Sequence, residues 1–270
     1  MDKINIKEFD WSKLRKCQNQ GSLSTVYIQD DICIKILDKL YPSEREQILD
    51  KFLAMNGIKI DGVIFPKDLI VQDGNLLGYT MDYFQDSTSL NDYFTTTRFV
   101  NCKDIFNAVI KASKILREIH KYDIKVQDLS FENILINNQG EVKYIDIDSC
   151  QYQNYESYFL SNILHKYMFD YRKQEFCNMT KNTDRLSFLL AFYNLMYLKE
   201  LQNISDKKYN QLSNHISSLN NIKRLANHLK DKNKRITSIP YMDDLINRDD
   251  DYTIKRNNCS LLIKRLARKI

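Results

Sequence analysis

Short apolar segments bounded by turn residues dominate the first 85 positions of the chain. β-branched runs at 25–28 and 32–37 flank Gln29-Asp30-Asp31, and apolar runs at 69–72 and 76–83 flank Asp73-Gly74. Runs of this length and composition, separated by such turns, predict two β-hairpins.

One helix is predicted between the two hairpins. Apolar residues at positions 48, 49, 52 and 53 recur at helical spacing after Pro42. Ser43 is predicted as the N-cap, with Glu46 at the third helical position, which is the arrangement of a capping box.

Beyond residue 86 the pattern becomes helical. Apolar residues at 105, 109, 112, 116 and 119 step by three or four and predict one long amphipathic helix. Short strands are predicted at 134–136 and 142–145. The 13-residue uncharged run at 186–198 indicates a buried helix, because it is too short to span a bilayer. The predicted fold is α+β, with a β-rich domain at 1–84 and a larger helical domain at 85–270.

Composition limits the class of protein. With 270 residues, 43% of them hydrophobic and 28% charged, the chain is long enough for a sizeable core and unlike a disordered segment. The six cysteines form no Cys-x-x-Cys pair, and no apolar leader segment opens the chain. We therefore expect a reduced, cytoplasmic protein with free thiols and no transmembrane segment.

The net charge of +5 comes from one end of the chain. Residues 254–270 hold six basic side chains and no acidic one, which leaves 34 basic against 35 acidic residues elsewhere. A nucleic-acid-binding protein would carry a wider basic face. Two interpretations of this tail are open. It is either a final helix that docks the side formed by Leu262, Leu266 and Ile270, or a basic surface that recruits an acidic partner such as nucleic acid or an anionic protein.

The most informative segment is 126–148. Asp128 is followed five residues later by Asn133 and an apolar strand, and then by Asp146 and Asp148. Phosphoryl transfer needs an aspartate to orient the attacking hydroxyl, and an amide oxygen and a carboxylate to hold magnesium. The alternative is a hairpin whose polar residues only cap turns.

This pattern resembles the catalytic loop and metal-binding aspartate of the protein-kinase-like superfamily. The resemblance implies a two-lobed fold that binds ATP and Mg²⁺, with Asp128 catalytic and Asn133 and Asp146 as metal ligands. It also implies that Lys35, within the apolar run 32–37, contacts the nucleotide phosphates. A lysine there is unfavourable without a partner; the alternative is an edge strand with Lys35 in water.

The resemblance extends to the nucleotide site and to the partner of Lys35. Gly21 is the glycine that remains in the glycine-rich loop, and Val26 is the residue expected to pack on adenine. The run 78–84 resembles the strand into the hinge, with Met81 as gatekeeper and Asp82 and Tyr83 in the hinge. Glu46 is preferred as the catalytic partner of Lys35; Glu44 is the alternative, and Glu46 as a helix cap alone is another.

Three further positions bear on architecture and regulation. In the resemblance, His120 is a packing histidine and Asp184 hydrogen-bonds the backbone of the catalytic loop. Gln127 replaces the arginine that reads an activating phosphate, so we expect no control by phosphorylation within 149–183. Asp148 lies either near the magnesium site or in a solvated turn.

The resulting prediction is an ATP- and Mg²⁺-dependent serine/threonine protein kinase. The Asp-x-Asp-Ser-x-Gln run at 146–151 resembles divergent bacterial kinase-like proteins. One alternative is a small-molecule kinase of the aminoglycoside or choline type, which usually has a histidine near the catalytic aspartate. Another is a nucleotide-binding pseudokinase scaffold. The eroded glycine loop favours this alternative, and the retention of Lys35, Asp128, Asn133 and Asp146 argues against it.

Overall fold

The structure, a computed structural model, describes residues 1–17, 24–96, 102–157, 169–170, 175–176, 179–202, 220, 223–224, 227 and 239–245. It is a mixed α+β structure with one large sheet and several helices, compatible with the predicted two-lobed arrangement. Among the helices in these residues, none has both the length and the apolar character needed to cross a membrane. Cys17, Cys33 and Cys150 form no disulfide.

The first region contains a six-stranded sheet. Its strands are β1 (Lys3–Asn5), β2 (Arg15–Lys16), β3 (Thr25–Gln29), β4 (Ile32–Ile36), β5 (Pro66–Gln72) and β6 (Asn75–Asp82). Their order is β1-β5-β6-β4-β3-β2, with β1 and β5 parallel and the other pairs antiparallel. Both predicted hairpins are confirmed. β1 and β2 were not predicted, because each is only two or three residues long.

The position of β4 decides one alternative. It lies between β3 and β6, so Lys35 sits on an interior strand, and the edge-strand interpretation is wrong. Both neighbouring strands pair with it along its full length.

Helix α1 (Pro42–Ala54) begins differently from the prediction. Pro42 occupies the first helical position and Tyr41 the cap, and the Tyr41 N–H donates to the Glu44 carboxylate at 2.7 Å. Proline favours that first position because its φ is fixed and its missing N–H is not needed there. The prediction of Ser43 and Glu46 as the capping pair is therefore wrong.

The second region holds most of the helices. Its elements are β7 (Ser87–Ser89), α2 (Leu90–Thr96), α3 (Cys102–Lys121), β8 (Ile134–Asn137), β9 (Val142–Tyr144), a 3₁₀ turn (Ile147–Ser149), β10 (Phe169–Asp170), β11 (Glu175–Phe176), α4 (Lys181–Gln202) and α5 (Met242–Leu245). Strands β7, β8 and β9 form an antiparallel sheet, and β10 pairs with β11. The predicted apolar face of α3 is buried, and so are residues 186–193 of α4.

The segment after α1 ties the two regions together beside β9. The Ile64 N–H donates to the Tyr144 carbonyl at 2.9 Å, and the Tyr144 N–H donates to the Gly62 carbonyl at 2.8 Å. Gly62 has φ +83°, a conformation that strains any residue with a Cβ, and an added Cβ would also displace the Ile115 side chain on α3. These bonds place the large sheet against the segment that follows β9. The division of the chain at residue 84 stays a prediction.

Candidate active site

Helix α4 holds the backbone of the loop at 126–133 through Asp184. The Val126 and Gln127 N–H groups donate to the two carboxylate oxygens of Asp184 at 2.7 and 2.9 Å. Gln127 has φ +56°, a left-handed conformation that costs a residue other than glycine about 1 kcal/mol. Two charge-assisted hydrogen bonds to consecutive amides hold it there. The prediction that Asp184 binds this backbone is confirmed.

Asp184 has a second anchor in His120. The His120 Nε2 lies 3.0 Å from Asp184 Oδ2, and Nδ1 lies 2.8 Å from the Tyr241 hydroxyl. Both ring nitrogens of His120 therefore have hydrogen-bonding partners. His120 and Asp184 are both buried. His120 is part of the core, as predicted.

Asp128 and Asn133 form a pair at the top of this loop. Asn133 Nδ2 donates to the Asp128 carbonyl at 3.0 Å and to Asp128 Oδ2 at 3.3 Å. No donor among the described residues reaches Asn133 Oδ1, so that oxygen is available for another partner. Burial and the nearby Asp146 carboxylate raise the pKa of Asp128, and the Asn133 bond lowers it by less. A raised pKa makes Asp128 a better proton acceptor.

Lys35 reaches two carboxylates that follow β9. Its Nζ lies 3.0 Å from Asp146 Oδ1 and 2.9 Å from Asp148 Oδ2, and the residue is only 6% exposed. Burial lowers the pKa of the ammonium, but the Asp146 and Asp148 charges outweigh burial and place that pKa well above its usual value. Lys35 is therefore a buried cation held by two anions.

The local backbone explains why both aspartates point to one lysine. Asp146 has φ +59°, and the chain then enters the 3₁₀ turn rather than continuing as a strand. The two carboxylates thus share a side because of a left-handed residue and a tight turn, and not because of strand alternation. Asp148 is buried, so its interpretation as a solvated turn residue is wrong. Burial acts to raise the pKa of Asp148, and the Lys35 ammonium brings the pKa below its usual value.

Helix α1 does not present Glu46 to Lys35. Glu46 is exposed, and within the described residues Lys35 forms its ion pairs with Asp146 and Asp148 alone. The charged side chain that α1 turns inward is Lys51, which is fully buried. Its Nζ donates to the Cys150 carbonyl at 2.7 Å. The sequence held a signal for this, since Lys51 follows Ile48 by three residues and therefore lies on the apolar face.

The predicted nucleotide-base residues sit at the junction of the two regions. Val26, Met81 and Tyr83 belong to an apolar cluster that also includes Leu135 on β8 and Ile145 after β9. Leu135 was missed, although β8 is apolar on both faces: 134 and 136 face the main core, so 135 faces the large sheet.

Asp82 lies apart from this cluster, whereas Tyr83 belongs to it. Asp82 is exposed and forms an ion pair with Lys67, and the Tyr83 N–H donates to the Asp31 carbonyl at 2.8 Å. Gly21 and the basic tail at 254–270 lie outside the described residues, so the predictions made for them stay predictions.

Comparison with known proteins finds a similarity of low identity over part of the chain. No family model matches the chain. The chain is 27% identical over 139 residues to the serine/threonine-protein kinase CLA4 of Candida albicans, and equally to the protein of that name in strain SC5314. The aligned part is 48% of this chain and 14% of each relative, so the chain spans a small part of their length. The similarity indicates distant kinase-like relatedness.

Proposed function

We propose that this chain is an ATP- and Mg²⁺-dependent serine/threonine protein kinase of a divergent bacterial type, with a two-lobed protein-kinase-like fold. The observation that carries the proposal is the contact between Lys35 and Asp146, which are 111 residues apart in sequence. Beside this contact lies the Asp128–Asn133 pair. A strand lysine, a candidate catalytic aspartate and two candidate metal ligands therefore lie near one another, which is the arrangement that phosphoryl transfer requires.

Asp128 is the residue that orients the attacking hydroxyl and accepts its proton. Its carboxylate is fixed by Asn133 Nδ2, and its raised pKa suits a proton acceptor. The Asp184 hydrogen bonds to Val126 and Gln127 set the direction from which Asp128 enters the site. Positioning of this kind is most of what a protein contributes to phosphoryl transfer.

Lys35 is the residue that contacts the nucleotide phosphates. Asp148 is more buried than Asp146, so it remains the anionic partner of Lys35 when phosphate oxygens approach from the open side. An ammonium with three donors can serve the carboxylate and a phosphate together.

The residues present fit a magnesium ion. Three carboxylates, from Asp128, Asp146 and Asp148, lie near one another, and Asp146 raises the pKa of Asp128. That repulsion shows a surplus of negative charge, which a divalent cation would relieve. Asn133 Oδ1 and the Asp146 carboxylate would hold the ion.

Two protein ligands are sufficient for this ion. Within the described ranges, no three His, Cys, Asp or Glu side chains are grouped as ligands of one ion. Magnesium usually keeps several waters and binds substrate phosphates through one or two carboxylates. When bound, it would neutralise charge on the transferred phosphate.

The adenine would lie in the apolar cluster at the junction. Val26 and Met81 from the large sheet and Leu135 from β8 provide apolar surfaces on either side. Asp82 and Tyr83 lead from β6 into the second region and are the candidate hinge.

The test is transfer of label from γ-labelled ATP with Mg²⁺ to the protein itself, to a generic protein, and to aminoglycoside or choline. We expect label on serine or threonine, lost in Asp128→Asn and kept in Asp61→Asn, which changes an exposed aspartate. Label on the small molecules alone would overturn the protein-kinase assignment. Nucleotide binding with no transfer to any acceptor would instead identify a binding module.

A further inference from the structure

The 3₁₀ turn at 147–149 is contacted by two buried lysines from the first region. Lys35 on β4 contacts the Asp148 carboxylate at 2.9 Å, and Lys51 on α1 donates to the Cys150 carbonyl at 2.7 Å. Asp148 and Cys150 are two residues apart, within the turn and directly after it. The same short segment is thus held from a strand and from a helix.

Cys150 is fixed on three sides. Its N–H donates to the Ile147 carbonyl at 3.2 Å, which closes the turn, and its carbonyl accepts from Lys51. Its thiol lies 3.9 Å from the Met55 sulfur, directly after the last residue of α1. Two residues of the α1 segment therefore contact one residue of the turn.

The burial of Lys51 gives this contact weight. The side chain is fully buried, and a buried amine is unfavourable unless its hydrogens are bonded. A carbonyl acceptor serves the amine in either protonation state. Burying the Lys51 amine therefore costs free energy, and the hydrogen bond to the Cys150 carbonyl offsets that cost.

We propose that Lys51 is a positioning residue that couples α1 to the active site through the 147–150 segment, with Asp148 as the anion that orients Lys35. The inference rests on the proposed kinase function. In the kinase pattern a helix glutamate pairs directly with the strand lysine. Here the roles are exchanged: the helix supplies a basic hydrogen-bond donor, the turn supplies the anion, and the backbone of the turn connects them.

This arrangement explains where Glu46 and Lys51 lie. Asp148 already provides the acidic partner of Lys35, so α1 does not need to supply one, and Glu46 points outward. A displacement of α1 would pull on the Cys150 carbonyl, and Asp148 would move with the turn. Lys35 would then lose its more buried partner.

The anchoring contact is tested first, without nucleotide. Lys51→Met keeps the unbranched side chain as far as Cε and removes the donor, and Lys59→Met makes the same change at an exposed lysine just beyond α1. By hydrogen–deuterium exchange we expect the amides of Ser149 and Cys150 to exchange at least about tenfold faster in Lys51→Met, since the turn loses its anchor. Lys59→Met should match the wild type. Unchanged exchange in Lys51→Met would overturn the proposal.

The coupling is tested by turnover. We expect kcat to fall about 10- to 100-fold in Lys51→Met, the range seen when residues that orient active groups are removed, and Lys51→Gln to restore part of it. Asp148→Asn should also lower kcat. The double variant Lys51→Met/Asp148→Asn should fall less than about threefold below the worse single variant, because both act through one turn. Multiplying losses, or faster exchange with unchanged kcat, would overturn the coupling.

The two proposals fail separately. If the wild type transfers no phosphate, the proposed function is overturned, and the exchange measurement still decides the anchoring contact. If Lys51→Met does not fold, Lys51→Gln is measured instead; its amide donor is one bond shorter, so the amides of Ser149 and Cys150 should still exchange faster than in the wild type, by less than about tenfold. Failure of both variants to fold would overturn the proposal and assign Lys51 a purely structural role.

Discussion

The molecule contains two clusters of polar side chains. One lies within the second region, and the other lies at the junction of that region with the large sheet. The first, the Asp184 cluster, consists of Asp184, His120 and Tyr241. The second, the Lys35 cluster, consists of Lys35, Asp128, Asp146 and Asp148. Both join residues from distant parts of the sequence, and both contain carboxylates beside nitrogen donors.

In the Asp184 cluster, each side-chain oxygen and ring nitrogen has a hydrogen-bonding partner. Asp184 accepts from two backbone amides and from His120, and both ring nitrogens of His120 have partners. Asp184 is fully buried. A network satisfied in this way fixes one backbone conformation and leaves nothing for a ligand.

The Lys35 cluster contains more carboxylates than ammonium groups, so its charges are not balanced. Two carboxylates contact the Lys35 ammonium and a third, that of Asp128, lies nearby; the Asp146 side chain is 31% exposed, and the pKa of Asp128 is raised. Perturbed carboxylates with remaining access to solvent are typical of functional sites. The comparison shows that polar satisfaction, rather than burial alone, separates a framework from a site.

The largest expected effect is on the framework. Asp184→Ala should lower the free energy of unfolding by about 3–5 kcal/mol, because it leaves buried N–H groups without an acceptor. Urea unfolding measures this, with Asp50→Ala on the exposed side of α1 as the control, for which we expect a change within about 0.5 kcal/mol. A stable Asp184→Ala protein that has lost only activity would reverse the roles of the two clusters.

The next effect is on the site. Asp146→Asn should lower phosphate transfer by about 100- to 1000-fold, since it removes a candidate metal ligand and a charge that acts on the transferred group. Stability should change little, because the side chain is partly exposed and Asp148 still pairs with Lys35. Labelled transfer and thermal melting are measured together. Near wild-type turnover with an intact fold would remove Asp146 from the site.

A smaller effect is expected from phosphatase treatment. The Gln127 side chain donates to Gln151 at 2.7 Å, and its backbone is held by Asp184, so the loop is fixed without a phosphate. Treated and untreated enzyme should differ by less than about tenfold in rate, or about 1.4 kcal/mol. A larger loss would show that a phosphate supplies part of the framework.

The smallest effect concerns the thiols near the Lys35 cluster. Burial raises the pKa of both Cys33 and Cys150 to about 12, so few thiolates form at pH 8.5. Alkylation of the native protein, located by peptide mass spectrometry, should mark the partly exposed Cys17 before these two. Rapid labelling of Cys150 would mean that the 147–150 segment opens in solution.

The raised pKa values of Cys33 and Cys150 also make the stability of the fold depend on pH. The fold favours the neutral thiol, so this contribution is complete below the pKa of the unfolded thiol, at about 8.5, and is lost as the pH rises toward 12.

Several elements followed from the sequence alone. Hairpin turns, the face of α3 and the buried run in α4 were all predicted, because each depends on local periodicity or turn residues. The Asp184 contact was predicted from the resemblance to kinases. Lys35 was singled out by its charge within an apolar strand. Its burial is now shown, while its catalytic role stays a prediction.

The partners within the site were decided by tertiary structure. Nothing local to Lys35 distinguishes Glu46 from Asp148, and the choice depends on where α1 begins and how it rotates against β6. Ile48 and Phe52 pack in the core, so Lys51 lies on the buried side of α1 and Glu46 on the exposed side. In the same way, Asp146 and Asp148 met one ammonium only because a left-handed residue precedes a 3₁₀ turn. Periodicity is a property of the chain, whereas an ion pair depends on distances that long-range packing sets, and packing placed Asp148 beside Lys35.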